Sequence, residues 1–347
     1  MTAYFNTVVN GEDVPLLSGE STIAEACGVW LEEKRTADRV TQTTIEAYEN
    51  SVRLIVVPMC GSIQLMDFNV PRCDSVLRRI LKSRSPSDAR KARGILSQVC
   101  GTAVRVGVMA SNPVRDAQDL PTSEKKDSFL LPEQIGIVRD LMRSWKTDRS
   151  KGGTRPDVSK LEDGMFIMIG TSARIGEVLA LRRRDVDLLA DKPTIHIAST
   201  LTQTRKDGLT RKNSPKHKRQ KRRVHLPKLA VEAVRSRLSE AGPKPDDFLF
   251  ATRSGAPFSV SNFERLMRTF LKGNIEAMRD ADIPVEEFTT HIFRRTSATL
   301  VERRGGIGLA SRLLGHANEG ITRAHYVVTD ELVSDETATI LDETLVW

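Results

Sequence analysis

A tyrosine near the C-terminal end of the sequence stands beside residues that could take part in catalysis. Tyr326 lies in the stretch LLGHANEGITRAHYVVTD (313–330), ten residues after His316 and directly after His325. A phenol can act as a nucleophile that forms a covalent intermediate, and an imidazole can move a proton. The commonest role of a tyrosine is different, because its ring usually packs while its hydroxyl stays in water. This stretch alone leaves both interpretations open.

Two further motifs carry residues that could bind a phosphate. GTSARIGEVLALRRRDVD (170–187) places Arg174 at the start of a predicted helix, three residues before Glu177. FTTHIFRRTSATLVERRGG (288–306) places His291 and Arg294 three residues apart, on one face of a predicted helix. A guanidinium can hold a phosphate in bidentate fashion. Taken alone, Arg174 is more typical of a surface arginine or of an ion-pair partner for Glu177.

A strongly basic segment separates these two motifs. Residues 205–223 contain ten lysines or arginines and one acid, between the strand-like stretches KPTIHIAS and RRVHLP. The flanking strands predict a β-ribbon that carries its charge outward, and such a surface displaces counterions from a phosphate backbone. A solvated or disordered charge run is the alternative. The candidate DNA-contacting residues are Arg205, Lys206, Arg211, Lys212, Lys218 and Arg219.

Composition narrows the class of protein further. The chain has 347 residues and a formal net charge of +8, which favours a polyanionic partner. Its four cysteines show no spacing typical of a metal site, so we expect no metal and reduced core thiols. The first residues lack the pattern of a signal peptide, and no apolar run is long enough to span a membrane. We therefore expect a cytoplasmic protein.

The elements that must position these residues indicate two domains. Capping-box patterns at Thr22–Glu25 and Thr43–Glu46 predict helix starts, and Asn112-Pro113 predicts the end of a helical region. The fold class is mainly α, with a small β-hairpin or sheet insertion. The predicted organisation is an N-terminal arm (1–20), a helical DNA-binding domain (21–115), a linker (116–129), a catalytic domain (130–330) and a C-terminal tail (331–347).

Three motifs, taken together and in this order, resemble the tyrosine recombinase family of phage integrases and Xer-type recombinases: SARIGEVLALRRRDVD, HIFRRT and LLGHANEGITRAHY. The resemblance covers residues 21 to 330 approximately. It implies a helical core-binding domain followed by a mostly helical catalytic domain. It also implies a site-specific recombinase that cuts and rejoins DNA through a covalent 3′-phosphotyrosyl intermediate, without a cofactor. The implied partners are double-stranded attachment sites, a homotetramer in the synaptic complex and accessory DNA-bending or directionality factors, at the nucleoid of a bacterial host.

The resemblance also assigns roles by position. Tyr326 matches the nucleophile, and Glu177 matches an acidic residue that supports the first arginine. The family's lysine on a β-hairpin corresponds to Lys216 in SPKHKRQKRRVHLP, with Lys218 as the alternative. The remaining catalytic matches are Arg174, His291, Arg294 and His316.

The sequence departs from the common family pattern in some places. Phe293 stands where leucine is usual, and Arg295 stands where a second histidine is frequent. The family's larger phage members carry a separate arm-binding domain before the core-binding domain, whereas about twenty residues precede that region here, so we do not expect arm-site binding. The acidic tail, with Val333, Leu341 and Leu345 as an apolar stripe, would either dock on a neighbouring subunit or remain solvated.

The segment PKHK…RRVHLP resembles the corresponding segment of phage integrases, which favours an integrase of a phage or mobile element over an Xer-type resolvase. The sequence also leaves open a type IB topoisomerase-like enzyme and a non-catalytic DNA-binding regulator. A topoisomerase would act alone on any supercoiled plasmid, whereas a recombinase exchanges strands between two defined sites.

Overall fold

The computed structural model describes residues 17–37, 40–121, 128–147, 158–213, 221–315 and 335–345. The chain divides into two compact units, the first reaching to about residue 125 and also including Thr204–Lys206, and the second comprising the rest of the chain. The described part of the first unit is helical: α1 (Ile23–Thr36), α2 (Gln42–Ser51), a π-helical turn (Val52–Val56), α3 (Val57–Cys60), α4 (Val70–Ser83) and α5 (Pro86–Arg105).

Local signals set where the first helices begin. The Thr22 hydroxyl accepts the Glu25 N–H at 3.2 Å and the Glu25 carboxylate accepts the Thr22 N–H at 2.7 Å, so the predicted capping box is confirmed. The second predicted start is wrong, because α2 begins at Gln42 with Thr41 as its N-cap. The helix then widens into a π-helical turn, in which the Val57 N–H donates to the carbonyl of Val52, five residues earlier. The next residue, Pro58, has no N–H to donate.

All four cysteines lie in the apolar core of the first unit. Cys27, Cys60, Cys73 and Cys100 are free and buried. Burial raises the pKa of the Cys73 thiol to about 11 and of the other three thiols to about 12. These side chains are therefore protonated packing residues.

The described part of the second unit is mostly helical, with two small sheets. Strands β1, β2 and β5 form an antiparallel sheet, and β3 and β4 form a second, two-stranded sheet. The predicted pairing of KPTIHIAS with RRVHLP is confirmed, since Thr194 faces His225 and Ile197 faces Arg222. The strands are β1 (Val186–Asp187), β2 (Thr194–Ile197), β3 (Thr200–Thr204), β4 (Gly208–Lys212) and β5 (Arg222–His225). The helices are α6 (Pro132–Thr147), α7 (Ser159–Thr171), α8 (Ile175–Leu179), α9 (Lys228–Glu240), α10 (Val260–Asp280), α11 (Thr290–Leu314) and α12 (Glu336–Thr344).

Helix α7 is the centre of this unit. Its residues from Leu161 to Thr171 are all buried, and it packs against α9 and α11. Glycines permit the close approach of α10 and α9 to this helix, because a Cβ on Gly164 would lie 2.6 Å from Phe263 of α10, and one on Gly170 would lie 2.7 Å from Ala230 of α9. The end of α7 is thereby fixed next to the segment that carries Arg174.

The C-terminal helix α12 packs within its own unit. Leu341 and Leu345 are buried in the core of the second unit, and α12 contacts α11 and α9. The Asp342 carboxylate accepts the Lys228 N–H at the start of α9, at 2.6 Å. The tail is therefore not simply solvated over its described residues, whereas Val333 lies outside them. Within the described part of the chain, no helix is long and apolar enough to cross a membrane.

Candidate functional site

Arg174 occupies the N-cap position of the short helix α8. Its backbone N–H donates to Oε2 of Glu177 at 2.9 Å, and its Nη1 lies 3.2 Å from Oε1 of the same carboxylate. The Glu177 side chain is 6% exposed, whereas that of Arg174 is 38% exposed. Glu177 thus anchors Arg174 from the protein side and leaves the guanidinium reachable from solvent.

Arg294 connects the ends of two long helices. Its Nη1 donates to the carbonyl of Ser172, which follows α7, and its Nη2 donates to the carbonyl of Leu314 at the end of α11, at 2.6 Å. The Ser172 hydroxyl donates back to the Arg294 carbonyl at 3.3 Å. Ser172 has a left-handed backbone, with φ of 51°, which is uncommon for a residue other than glycine. These contacts fix the guanidinium plane.

Burial and neighbouring charges lower the pKa of Arg294. Burial is the main cause, Arg174 and Arg222 add repulsion, and the pKa falls to about 9. The side chain therefore stays charged at neutral pH. A guanidinium held in place and surrounded by other cations favours binding of an anion.

His291 lies about one turn before Arg294 on α11 and is exposed. Desolvation lowers the pKa of its imidazole, and Arg294 and then Arg174 lower it further. The ring is therefore neutral at neutral pH and can accept a proton. Arg174 lowers the pKa of both side chains, which places His291, Arg294 and Arg174 in one electrostatic environment.

The structure describes part of the predicted constellation. Arg174, Glu177, His291 and Arg294 come together as described above. The last described residue of α11's C-terminal turn is Gly315, directly before His316. His316, Tyr326, Lys216, Lys218 and Arg219 lie outside the described residues.

The basic hairpin residues differ in how accessible they are. Arg205 and Lys206 are exposed in the turn between β3 and β4, and Lys212 is half-buried on β4. Arg211 has a buried side chain, which contacts Asp185 at 2.9 Å and the Ala180 carbonyl at 2.8 Å. Arg211 thus stabilises the hairpin. A contact between Arg211 and DNA stays a prediction, and it would require the ion pair with Asp185 to open.

One charged residue of the site was missed by the sequence analysis. Arg222 belongs to the basic segment, whose charge was predicted to point outward, yet its side chain is 3% exposed and faces Glu177 at 3.3 Å. Alternation along β5 explains this, since Arg222 and Val224 are buried while Arg223 is exposed. That alternation is visible in the sequence RRVHLP and could have identified the inward arginine.

Comparisons with known proteins agree with this geometry. The phage integrase family model matches residues 147–331, which is more than half of the chain, and the phage integrase central domain model matches residues 23–119. The integrase of Mycobacterium phage L5 is 24% identical over 82% of this chain and 69% of that protein. The tyrosine recombinase XerC of Methylobacterium nodulans is 26% identical over 89% of this chain and 90% of its own length.

Solved structures show the same fold. The Tn1549 transposon integrase in complex with a circular intermediate DNA superposes with a TM-score of 0.69 at 18% identity, over 94% of this chain and 100% of that one. A lambda integrase tetramer bound to a Holliday junction superposes with a TM-score of 0.57 at 16% identity, over 87% and 76% of the two chains. Together with the match to more than half of its length, these findings establish that the chain belongs to the phage integrase family of tyrosine-type site-specific DNA recombinases.

Proposed function

We propose that this recombinase integrates and excises a phage or mobile element, with Tyr326 as its nucleophile. The observation that carries the proposal is the meeting of Arg174, Arg294 and His291, with Nη2 of Arg294 bonded to the carbonyl of Leu314, two residues before His316. In the same proposal, residues 21–115 form the core-binding domain, 116–129 the linker, 130–330 the catalytic domain and 331–347 the tail.

The cleavage step uses each group for one task. The Tyr326 hydroxyl oxygen attacks the scissile phosphorus, and the bond from phosphorus to the 5′ oxygen breaks. His291 takes the phenolic proton, and Lys216 on the hairpin gives a proton to the leaving 5′ oxygen. Arg174, Arg294 and His316 stabilise the charge on the non-bridging oxygens in the transition state. The product is a 3′-phosphotyrosyl ester and a free 5′-hydroxyl.

The ester retains the energy of the broken phosphodiester. The 5′-hydroxyl of a second DNA strand attacks the same phosphorus, and the bond from phosphorus to the Tyr326 oxygen breaks. Lys216 takes the proton of the attacking hydroxyl, and His291 returns a proton to the phenolic oxygen. The exchange therefore needs no nucleotide cofactor. Strand exchange between two duplexes requires a protein on each half-site, so the active assembly is a homotetramer at the nucleoid in the bacterial cytoplasm. The lambda integrase tetramer on a Holliday junction supports this assembly by its similar fold.

An Xer-type resolvase is the second candidate, because the Methylobacterium nodulans XerC protein matches over 90% of its own length. The two candidates differ in their substrates. An integrase joins an element's site to a different host site, whereas a resolvase acts on two copies of one chromosomal site. Recombination assays on plasmids that carry each pair of sites separate the two.

A trapping assay tests the nucleophile. The probe is a duplex of the junction of the element that encodes the chain, nicked near the cut so that the leaving fragment diffuses away. We expect a covalent protein–DNA band on a denaturing gel that is lost in Tyr326→Phe. The control is Tyr48→Phe, which keeps the ring contact with Trp30 at 5.0 Å between centroids and should keep the band. A band that persists in Tyr326→Phe would assign the wrong nucleophile.

A further inference from the structure

The buried arginine Arg222 has no role in the chemistry described so far. It is the first residue of β5, its side chain is 3% exposed, and its Nη2 lies 3.3 Å from Oε2 of Glu177. A side chain this deeply buried cannot be one of the outward charges that meet the DNA backbone. Its function must therefore be exerted through the groups that it contacts.

Glu177 is shared between two arginines. Its Oε2 accepts the Arg174 backbone N–H at 2.9 Å and faces Arg222, and its Oε1 faces Arg174 Nη1 at 3.2 Å. Burial raises the pKa of the Glu177 carboxyl, but Arg222 is the largest opposing influence, and the net pKa is lowered. A buried carboxylate with too few counter-charges is costly and tends to take up a proton. Arg222 keeps Glu177 ionised, so that both of its oxygens can hold Arg174.

A second contact places Arg222 under the turn that ends α11. Gly315 has φ of 66°, and a Cβ added to it would lie 3.3 Å from Nη1 and 3.6 Å from Cδ of Arg222. The same turn presents the Leu314 carbonyl to Arg294 at 2.6 Å. Arg222 therefore lies between the Arg174–Glu177 pair and the turn that precedes His316.

We propose that Arg222 is a positioning residue of the recombinase site, which holds Glu177 and, through it, the phosphate-binding guanidinium of Arg174. The proposal rests on the proposed function, since it assigns Arg174 to the scissile phosphate. Arg222, whose side chain is 3% exposed, acts through Glu177 and is not itself a catalytic residue. It sets the geometry in which Arg174 meets the transition state.

The test is the single-turnover rate of covalent complex formation on the nicked junction duplex. We expect Arg222→Met to slow this step by about 100-fold, the loss that a misplacement of about 1 Å can cause, while DNA affinity stays near that of the wild type. Arg222→Lys, which restores the charge with a different donor geometry, should recover part of the rate. It also serves as the folded variant if Arg222→Met fails to fold.

A double-mutant comparison separates positioning from a merely structural role. If Arg222 acts through Arg174, adding Arg222→Met to Arg174→Ala should lower the cleavage rate little beyond the loss that Arg174→Ala causes alone. Arg222→Lys takes the place of Arg222→Met in this comparison if the methionine variant does not fold. Losses that multiply would overturn the proposal.

The matched control is Arg237→Met, because Arg237 is also fully buried, on α9, and bonds Asp163 at 2.5 Å and Glu240 at 2.7 Å. Arg237→Met should lower the melting temperature and leave the cleavage rate of the folded protein unchanged. Arg222→Met behaving in the same way would reduce Arg222 to a structural residue. A wild-type protein that forms no covalent complex, or a band retained by Tyr326→Phe, would instead contradict the proposed function.

Discussion

At the scale of single residues, the environment of His291 predicts how cleavage depends on pH. Partial desolvation and the nearby Arg294 and Arg174 lower the pKa of this imidazole, so it loses its proton below the ordinary value of about 6.5. A base must be unprotonated, so the rate should rise with pH through that lowered pKa and be level at neutral pH. The rate at low DNA concentration, measured between about pH 5 and 8, reports this group in the free enzyme.

The matching variants make this pH prediction specific. His291→Gln should lose about 100-fold or more in rate, together with the acid limb of the profile. His225→Gln is the control, because His225 is half-buried and desolvation lowers its pKa as well, yet it stands outside the proposed chemistry. A His291→Gln protein that keeps the acid limb would assign the proton transfer to another group.

Residue types and spacing predicted part of this site and could not predict the rest. Arg174, His291 and Arg294 stand in motifs whose order is readable along the chain, and the structure brings them together. The inward direction of Arg222 required the strand alternation of β5. The left-handed backbone of Ser172 has no signal in its residue type, since it belongs to the C-cap of α7 and accompanies contacts with Arg294, which is distant in the sequence.

At the scale of elements, the packing of α7 on α9 depends on Gly170. A Cβ there would lie 2.7 Å from Ala230 and 3.0 Å from the Pro227 ring, and neither neighbour can rotate away. We expect Gly170→Ala to lower the free energy of unfolding by about 1–2 kcal/mol, since overpacking exceeds the gain in helix propensity. Urea unfolding followed by circular dichroism measures the change. Cleavage should slow as well, because Ser172 and Arg174 follow this end of α7.

The control for this packing prediction is Gly94→Ala on α5. Gly94 is exposed within a helix, and an added Cβ would meet nothing within 4 Å. This change should stabilise the first unit by about 0.8–1 kcal/mol. The rate at which the thiols react reports that unit by itself, because all four cysteines are buried in its core. Equal unfolding energies for Gly170→Ala and the wild type would contradict the close approach of α7 and α9.

Elements were predicted well where one local signal dominated. The Thr22 capping box and the β2–β5 pairing were readable because side-chain patterns fix them. The start of α2 was not, because Thr41, Thr43 and Thr44 all offer hydroxyls near the start of the helix, and the Thr41 hydroxyl bonds to the other two. The π-helical turn before Pro58 was not predicted either, since a proline usually signals a break and here the helix continues around it.

At the scale of the whole molecule, the net charge of +8 predicts DNA binding that weakens with salt. Each phosphate contact releases counterions, so the logarithm of the binding constant falls linearly with that of the salt concentration, by about 0.9 per contact on duplex DNA. Lys206 and Lys212 lie on the β3–β4 hairpin, at its turn and on β4. Changing both to Gln should reduce this slope by about 2.

The control removes the same charge from two exposed lysines outside the hairpin, Lys244 and Lys272. Fluorescence anisotropy on a labelled duplex over a salt series gives both slopes. If the control pair lowers the slope as much as the hairpin pair, the hairpin is not the DNA-contacting element, and only the overall charge attracts the duplex.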